Sequence, residues 1–380
     1  MFTFYEFFAG GGMARAGLGH AWQCLLANDF DRKKAESYSR NWGDDHLLVD
    51  DIRNVKSADL PGNPNLLWGS FPCQDLSLAG GGAGLKGDRS GTFWPFWSIQ
   101  KRLNNEGRGP QIIVLENVVG TITSHGGNDF ATICNALASA GYRYGACVID
   151  AAHFVPQSRP RLFVIAVAAG LEIPSGVFGT QASSVWHPRS LQNAVSGLST
   201  KTRQGWLWWD IPKPHKRNIV LADIIDDEPD GVQWHSQDET NRLLEMMSPV
   251  NLTKVQVAQA SGVRSVGTLY RRTRYVKGNK VQRAEVRFDD IAGCLRTPAG
   301  GSSRQQILLV KGDEIKSRLI SARETARLMG LDDTYILPKN YNEAYHLTGD
   351  GVVVPVVRHL AANLLEPILN ANANKSEHAA

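Results

Sequence analysis

The sequence predicts an α/β fold in which helices cover both faces of a mostly parallel β-sheet. Strand and helix patterns alternate through the first third of the chain, and a glycine cluster directly follows the first strand pattern. The composition, 42% hydrophobic and 21% charged, is that of a globular protein. A chain of 380 residues is long enough for one large domain with an insertion, or for two domains.

The elements of this sheet can be assigned in order along the chain. Local patterns predict strands at residues 2–8, 23–27, 65–68, 111–115, 144–149 and 161–167, with helices at residues 13–18 and 129–140 among those between them. Gly10, Asp29, Gly69 and Glu116 each lie at the end of a predicted strand or directly after it. Because the carboxyl ends of parallel strands share one edge and bind ligands there, we expect these residues to lie close together.

The chain changes character after about residue 170. Residues 171–253 are irregular and rich in Ser, Pro and Trp, whereas residues 254–310 carry eleven basic residues against three acidic ones. Regular α/β patterning returns at residues 321–330 and 349–369. We therefore predict an α/β domain over residues 1–180, a smaller irregular domain over 181–315, a return to the first domain over 316–369 and a frayed tail over 370–380.

Composition excludes several classes of protein. The 41 basic and 37 acidic residues give a net charge of +4, which neither requires nor excludes a polyanionic partner. Five cysteines without a C-x-x-C pair argue against a disulfide framework and against a structural zinc site. The N-terminus does not resemble a signal peptide, and the longest apolar stretch, residues 162–169, is far shorter than the roughly 20 residues of a membrane span. We expect a protein of a reducing compartment with no membrane segment and no metal.

One cysteine differs from the others in its surroundings. Cys73 follows a predicted strand and Pro72, lies beside polar residues and precedes a glycine-rich tract at 80–91, which predicts exposure. A thiolate is a strong nucleophile, so this position suits covalent catalysis, although a lone cysteine is more often buried in a core. Burial is what we expect for the cysteines inside predicted elements, Cys24, Cys134 and Cys147.

The glycine cluster and Asp29 form a second candidate site. Asp29 lies 19 residues after Gly10 at the end of the next strand, a distance at which an acidic residue suits the hydroxyl groups of a ribose. A tight turn with an unrelated surface aspartate would have the same pattern. The third glycine of G-x-G-x-x-G is missing, which counts against a dinucleotide site.

Six segments that follow one another along the chain carry a family resemblance. They are Phe8-Ala9-Gly10-Gly11-Gly12, Pro72-Cys73-Gln74, Glu116-Asn117-Val118, Gln157-Ser158-Arg159-Pro160-Arg161, residues 318–330 and Gly349-Asp350-Gly351-Val352. In this order they resemble the motifs of bacterial-type DNA (cytosine-5)-methyltransferases, and the basic region lies where that family has its variable region. Two positions depart from the family: Met13 stands where a further glycine is usual, and Asp350-Gly351 stands where Asn-Ser is usual.

The resemblance implies a class I, Rossmann-like methyltransferase with a smaller target-recognition domain. It implies transfer of a methyl group from S-adenosylmethionine, leaving S-adenosylhomocysteine, to C5 of a cytosine flipped out of double-stranded DNA. Cys73 would bond to C6 of the ring, and Glu116 would hydrogen-bond or protonate N3 and contact the exocyclic amine. Arg161 would hold O2, while Arg159 would support Arg161 or a nearby phosphate. The base that removes the C5 proton is not visible in the motifs.

The resemblance also assigns binding residues. For S-adenosylmethionine these are Phe8, Ala9, Gly10, Gly11, Gly12, Asp29, Phe30, Asp51, Ile52, Pro72 and Asp350. For DNA they are Gln74, Ser77, Lys86, Arg89, Arg271, Arg272, Arg274 and Lys277. Lysine and arginine in the second set would contact phosphates, and some of the arginines would read guanine.

Other interpretations of the same residues remain open. Glu116 could cap a helix, Arg159 and Arg161 could be solvated edge charges, and the basic run could be ordinary surface. For the whole chain, the alternatives are a tRNA cytosine-5 methyltransferase, a catalytically dead DNA-binding homologue and a Rossmann-type oxidoreductase. We expect a monomer in the bacterial cytoplasm, encoded by a bacterium or a phage, with a cognate restriction endonuclease acting separately if one exists. No simple residue-to-base code gives the target sequence.

Overall fold

A computed structural model of the chain describes residues 1–72, 90–276, 278–297 and 304–378. The chain forms two compact units. The larger unit comprises Met1–Asp150, Pro160–Pro214 and Val352–Ala380, and the smaller unit comprises Ala151–Arg159 and His215–Gly351. The long insertion thus starts at residue 215 and ends at residue 351, later at both ends than the residues 181 and 315 expected from the sequence.

Local pairing explains why the units divide where they do. The Leu207 N–H donates to the carbonyl of Tyr144 at 2.7 Å, and the Trp209 indole donates to the carbonyl of Ile165 at 3.2 Å. These bonds keep the residues before Pro214 with the strands of the larger unit. At the other end, residues 314–319 pair with residues 306–311, so the smaller unit continues past residue 316.

The strands and helices are numbered along the chain. The strands are β1 (Phe2–Phe7), β2 (Trp22–Asp29), β3 (Leu47–Val49), β4 (Leu66–Gly69), β5 (Ile112–Val118), β6 (Tyr142–Asp150), β7 (Pro160–Ala168), β8 (Phe178–Gly179), β9 (Trp208–Trp209), β10 (Ser265–Val276), β11 (Asn279–Arg287), β12 (Gln306–Lys311) and β13 (Glu314–Leu319). The helices are α1 (Met13–Leu18), α2 (Arg32–Trp42), α3 (Phe93–Asn105), α4 (Asn128–Ser139), α5 (Arg189–Ser196), α6 (Thr200–Arg203), α7 (Leu221–Ile224), α8 (Gln237–Glu245), α9 (Pro249–Ala260), α10 (Ala322–Leu328), α11 (Tyr341–Asp350), α12 (Val354–Leu360) and α13 (Glu366–His378).

The larger unit contains a seven-stranded sheet with the order β3-β2-β1-β4-β5-β7-β6. Neighbouring strands from β3 to β5 are parallel, and β7 runs antiparallel to both β5 and β6. The strand order reverses between β1 and β4, the point at which open α/β sheets bind their ligands. This topology confirms the predicted α/β class with a mostly parallel sheet.

Packing in the larger unit agrees with a sheet covered on both faces. The first four residues of β5, from Ile112 to Leu115, are apolar and at most 2% exposed. Such a continuous apolar run is typical of a central strand in a parallel sheet. Helix α1 packs closely against α12, because a Cβ on Gly17 would lie 2.4 Å from the Cβ of Val357.

The smaller unit has an antiparallel sheet with the order β11-β10-β12-β13. One face of this sheet packs on α9, and their shared core comprises Val255, Ala258, Leu269, Ala284, Val286, Leu308 and Val310 with neighbouring residues. This unit is more regular than the sequence suggests. Alternation of apolar and polar residues is the usual sequence sign of a strand, and the polar run from Arg271 to Arg274 in β10 does not have it.

Three further differences concern single elements. The three-residue strand β3 has no counterpart among the predicted strands, Glu116 lies inside β5 instead of after it, and α13 continues to His378 where a frayed tail is predicted. By length and composition alone, the helical run over residues 341–373 could span a membrane, but more than half of its most apolar stretch is buried inside the protein. Val357, Leu360 and Leu364 in this run are fully buried, which is typical of core helices.

Candidate active site

The turn between β1 and α1 has backbone conformations that favour glycine. The φ angle is 55° at Gly10 and 76° at Gly12, and Phe8 has a φ of 59°, which is rare for a bulky residue. The Gly12 N–H donates to the carbonyl of Ala9 at 2.8 Å and so closes the turn. A Cβ on Gly12 would lie 2.4 Å from Nε1 of Trp42. Only glycine therefore fits this position without displacing its neighbours.

Asp29, the last residue of β2, binds this turn directly. The Gly10 N–H donates to Oδ2 of Asp29 at 2.8 Å, and the Asp31 N–H donates to Oδ1 at 2.9 Å. Asp29 is buried, and this burial raises the pKa of its carboxyl group above the usual range. The 19-residue spacing in the sequence thus corresponds to a contact between the glycine turn and a strand-end carboxylate.

The ends of β2 and β3 add an aromatic ring and a second acidic segment to the same edge. Phe30 follows Asp29 and is 68% exposed, which is unusual for a phenylalanine. The Asn28 amide donates to the carbonyl of Asp50 at 2.9 Å, which holds the segment that contains Asp51 against the end of β2. Ile52 follows and is buried.

Glu116 and Arg161 face each other across β5 and β7. The distance from Nε of Arg161 to Oε1 of Glu116 is 3.2 Å, and the two side chains are 17% and 10% exposed. The antiparallel register places Val118 opposite Arg161, so both charged side chains lie where β5 ends and β7 begins. Glu116 is therefore not a helix cap and Arg161 is not a solvated edge charge.

Asn117 ties the end of β5 to the segment that follows β4. Its Nδ2 donates to the carbonyl of Phe71 at 3.3 Å, while its Oδ1 accepts from Oγ1 of Thr121 at 3.2 Å. Phe71 and Pro72 are the last described residues before the segment 73–89. That segment, with the predicted nucleophile Cys73 and the predicted DNA contacts Gln74, Ser77, Lys86 and Arg89, lies outside the described residues.

Arg159 is a buried residue of the smaller unit. It is 2% exposed, and its Nη2 donates to the carbonyls of Gly349 and Gly351 at 2.8 Å each. Its Nη1 donates to the carbonyl of Leu295 at 3.0 Å. The interpretation of Arg159 as a solvated edge charge is therefore wrong. Because it binds the backbone on both sides of Asp350, it fixes the local path of the chain at the predicted cofactor contact.

The family model described as C-5 cytosine-specific DNA methylase matches residues 2–366. The chain belongs to this family. It is accordingly a DNA (cytosine-5-)-methyltransferase.

Individual relatives agree with this assignment. The chain is 26% identical over 353 residues to the type II methyltransferase M.Bsp6I of Bacillus sp. (strain RFL6), covering 91% of this chain and 92% of the relative. It is 24% identical to M.HhaI of Haemophilus parahaemolyticus, with 95% and 93% covered. Among solved structures, Dnmt2 of S. pombe has a TM-score of 0.59 at 18% identity, with 96% of this chain and 98% of that chain covered. EhMeth of Entamoeba histolytica has a TM-score of 0.60 at 15% identity, with 97% and 98% covered. These two structures support the methyltransferase fold.

The predicted DNA contacts of this methyltransferase that can be described lie on one strand. Arg271, Arg272 and Arg274 belong to β10 of the smaller unit, and all three are exposed. Lys277 lies outside the described residues. The strand thus presents several guanidinium groups to solvent, as a phosphate-binding surface requires.

Two buried residues close to predicted site residues are not themselves among the residues predicted from the sequence. Asn117 stands in the Glu-Asn-Val triplet, but only the structure reveals its bond to Phe71. Glu6 in β1 is 2% exposed, and burial raises its pKa to about 8. A glutamate in a strand that is otherwise mostly aromatic is the sequence signal for this second residue. Among the residues that the structure describes, no group of three or more His, Cys, Asp or Glu side chains is arranged to hold a metal ion.

Proposed function

We propose that this methyltransferase transfers a methyl group from S-adenosylmethionine to C5 of a cytosine flipped out of double-stranded DNA, at one short sequence, through a covalent bond between Cys73 and C6. The observation that carries the proposal is the 3.2 Å contact between Glu116 and Arg161 at the carboxyl end of β5. That strand neighbours β4, from which the chain leads to Cys73. A carboxyl group beside a guanidinium can hydrogen-bond the adjacent polar groups on one edge of a cytosine.

Each of these residues has a role in the proposed chemistry. Addition of the Cys73 thiolate to C6 makes C5 nucleophilic and moves negative charge toward N3 and O2. Glu116 hydrogen-bonds or protonates N3, and Arg161 stabilises the charge that develops on O2. After methyl transfer, loss of the C5 proton restores the C5–C6 double bond and expels the thiolate. Arg159 acts as a positioning residue for the turn that contains Asp350, since its Nη2 donates to the carbonyls of Gly349 and Gly351 on either side of that residue.

The residues at the edge of the sheet fit S-adenosylmethionine, which supplies an electrophilic methyl group on a sulfonium. Residues 8–12 would surround its methionine part, and Pro72 would approach the methyl donor. Asp29 would accept hydrogen bonds from the ribose, because a carboxylate is an acceptor with several lone pairs. The exposed ring of Phe30 offers a face on which adenine can stack, and Asp51 with Ile52 would contact its amine edge and its face.

The two units would divide the work between them. The larger unit would bind the cofactor and carry the catalytic groups, while the smaller unit with its exposed β10 arginines would recognise DNA. Base flipping is required because the C6 atom of a stacked, paired cytosine cannot be reached by a protein nucleophile. The relatives named as type II methyltransferases support a bacterial setting, in which the enzyme acts as a monomer and any cognate endonuclease acts separately.

The first test is bisulfite sequencing of plasmid DNA recovered from a methylation-free host that expresses the full chain. Protected cytosines confined to one short motif are expected. The Cys73→Ala variant, expressed to the same level, should leave every cytosine convertible. Complete conversion by the wild-type protein would contradict the proposal for DNA, and protected cytosines in host tRNA would replace it with an RNA substrate.

The covalent step needs its own experiment. Duplexes that carry 5-fluorocytosine in the motif lack the C5 proton, so the enzyme should remain bonded to them in the presence of S-adenosylmethionine. A denaturing gel should show this adduct for the wild type and not for Cys73→Ser. The isosteric Glu116→Gln variant should bind DNA normally and form the adduct about 100-fold more slowly or worse, as for loss of a general acid. An adduct that persists in Cys73→Ser would contradict the assigned nucleophile.

A further inference from the structure

The β10–β11 hairpin packs one face into the core at its base, and its opposite face carries the exposed residues Arg272 and Arg274. Leu269, Ala284 and Val286 point into the core of the smaller unit. Because side chains alternate along a strand, the opposite face carries Tyr270, Arg272 and Arg274 of β10, together with the residues of β11 that pair with them. The pairs on this face are Tyr270 with Glu285, Arg272 with Arg283, and Arg274 with Val281. We call Arg272, Arg274, Arg283 and Glu285 the arginine face.

Glu285 holds two of these arginines with its two carboxylate oxygens. Oε1 lies 2.6 Å from Nε and 2.5 Å from Nη2 of Arg274. Oε2 lies 3.3 Å from Nε of Arg272, whose guanidinium also lies over the ring of Tyr270 at 5.6 Å. Both arginine side chains remain 48% exposed. Glu285 thus contacts the edge of each guanidinium that carries Nε, including Nη2 of Arg274, and the N–H groups on the Nη1–Nη2 edge remain available to a second acceptor.

Stability does not account for this arrangement. Like charges directly opposite each other in an antiparallel pair are destabilising, and Arg272 is directly opposite Arg283. Exposed ion pairs contribute little to folding, so Glu285 cannot offset three clustered arginines by much. A net positive, partly fixed cluster on a two-stranded ribbon is suited to an anionic partner into whose groove the ribbon fits. The major groove of B-form DNA admits a two-stranded β-ribbon.

We propose that Glu285 is a specificity-determining residue, which orients Arg272 and Arg274 so that their terminal nitrogens read guanine bases in the major groove of the DNA target. This inference rests on the proposed function. A phosphate contact tolerates a flexible side chain, whereas bidentate binding to O6 and N7 of guanine requires a guanidinium in a defined orientation. Glu285 supplies that orientation before DNA binds, and its negative charge also repels misplaced phosphates.

The test uses the full-length protein and a pool of duplexes randomised over eight base pairs. Bound duplexes are sequenced for the wild type, Glu285→Gln, Arg274→Lys and a control, Asp289→Asn. Asp289 also pairs with an exposed arginine, Arg287, but lies beyond the end of β11. Glu285→Gln and Arg274→Lys should each lower the preference for guanine at one or two positions by about fivefold or more, and the control should keep the wild-type motif.

A second measurement separates orientation from simple charge. Binding to one duplex without the motif is followed by fluorescence anisotropy as a function of salt. Glu285→Gln should bind this duplex more tightly, and its log–log salt slope should steepen by about 0.9 for each phosphate that a released arginine contacts. Arg274→Lys keeps the charge and should leave the slope unchanged.

The outcomes distinguish this inference from the function on which it rests. An unchanged guanine preference in Glu285→Gln would overturn the role of Glu285, even if the wild type methylates DNA. An equal fall in guanine preference in Asp289→Asn would also overturn the role of Glu285, because loss of any nearby acidic charge would then be enough to weaken the preference. Bisulfite conversion of the same pool reports cytosine methylation separately, so a wild type that selects guanine without protecting cytosine contradicts only the proposed function.

Discussion

Among single residues, Gly12 is the most constrained position of the turn after β1. Its φ is 76°, and the place of a Cβ is occupied by Trp42, whose indole N–H donates to the carbonyl of Gly11 at 3.0 Å. A left-handed backbone conformation costs an alanine roughly 1–2 kcal/mol. We expect Gly12→Ala to lower the free energy of unfolding by more than this, because Trp42 must also move. Urea denaturation measures this loss, and calorimetry should show weaker binding of S-adenosylmethionine.

Gly126 provides a matched control for that substitution. Its φ of 67° and ψ of 23° are close to the 76° and 35° of Gly12, but nothing lies within 4 Å of the place of its Cβ. Gly126→Ala should therefore show only the conformational cost and leave cofactor binding unchanged. Equal losses in the two variants would mean that the contact with Trp42 is not what constrains the turn.

We expect the contribution of Glu6 to the stability of the protein to depend on pH. Burial is the largest cause that raises its pKa to about 8, although the nearby Arg15 opposes the shift. Between the unfolded pKa near 4.5 and about pH 8, the folded protein retains a proton that the unfolded chain has lost. The contribution of Glu6 to the free energy of unfolding is therefore fully present below pH 4.5. Between pH 4.5 and about pH 8 it falls by up to about 1.4 kcal/mol for each pH unit.

The Glu6→Gln variant isolates this contribution because its side chain stays neutral. Relative to the wild type, its free energy of unfolding should increase steadily from about pH 5 to about pH 8 and then level off. Urea denaturation of both proteins across this range gives the difference directly. A difference that does not change with pH would show that Glu6 is ionised in the folded protein throughout.

At the scale of elements, Asn117 connects the end of β5 to the residues that follow β4. In Asn117→Ala the carbonyl of Phe71 loses the hydrogen bond from Nδ2 of Asn117, and an unsatisfied buried carbonyl costs about 1–3 kcal/mol. Because Phe71 lies two residues before Cys73, we expect kcat to fall about tenfold or more while the affinity for DNA changes little. Single-turnover methylation and gel-shift binding on the same duplex separate the two quantities.

Thr121→Val is the control for this connection. It removes the bond from Thr121 to Oδ1 of Asn117 and leaves the bond from Asn117 to Phe71 in place. Its kcat should stay near that of the wild type. A loss as large as that of Asn117→Ala would mean that rigidity of the turn after β5, and not the tie to Phe71, sets the rate.

Elements also show which parts of the structure can be predicted from sequence. Strands β1, β2, β4, β5, β6 and β7 have long apolar or aromatic runs, and each was predicted to within a few residues. The contact of Gly10 with Asp29 follows from a strand–turn–helix pattern with a fixed spacing. In contrast, β10 and β11 carry polar residues on both faces in their distal halves. They lack the apolar alternation that predicts a strand, although they pair with each other as a local hairpin.

The same limit applies to single site residues. The motif from Gln157 to Arg161 contains two arginines of similar appearance, yet Arg159 is buried against backbone carbonyls and Arg161 pairs with Glu116. Nothing local distinguishes them, because the carbonyls that bind Arg159 lie 136 to 192 residues away in the chain and Glu116 is also remote in sequence from Arg161. Residue type predicts that both are important, and only tertiary structure separates a positioning residue from one beside the candidate catalytic acid.

At the scale of the whole molecule, the path of the chain connects the two units at several points. The chain passes between them after residues 150, 159, 214 and 351, so the larger unit is assembled from three separate segments. The smaller unit consists mainly of the continuous segment His215–Gly351. A continuous segment can unfold while its ends stay in place, so the smaller unit should open without loss of the larger one, whereas the reverse is hindered.

This asymmetry predicts the effect of S-adenosylmethionine on hydrogen exchange. A ligand that binds only the folded larger unit stabilises it by about 2.7 kcal/mol at 100 times its dissociation constant. Amides of β1, β2 and β4 should then exchange more slowly, while those of β10 to β13 should change little. Equal protection of β10 to β13 would mean that the two units unfold in one cooperative transition.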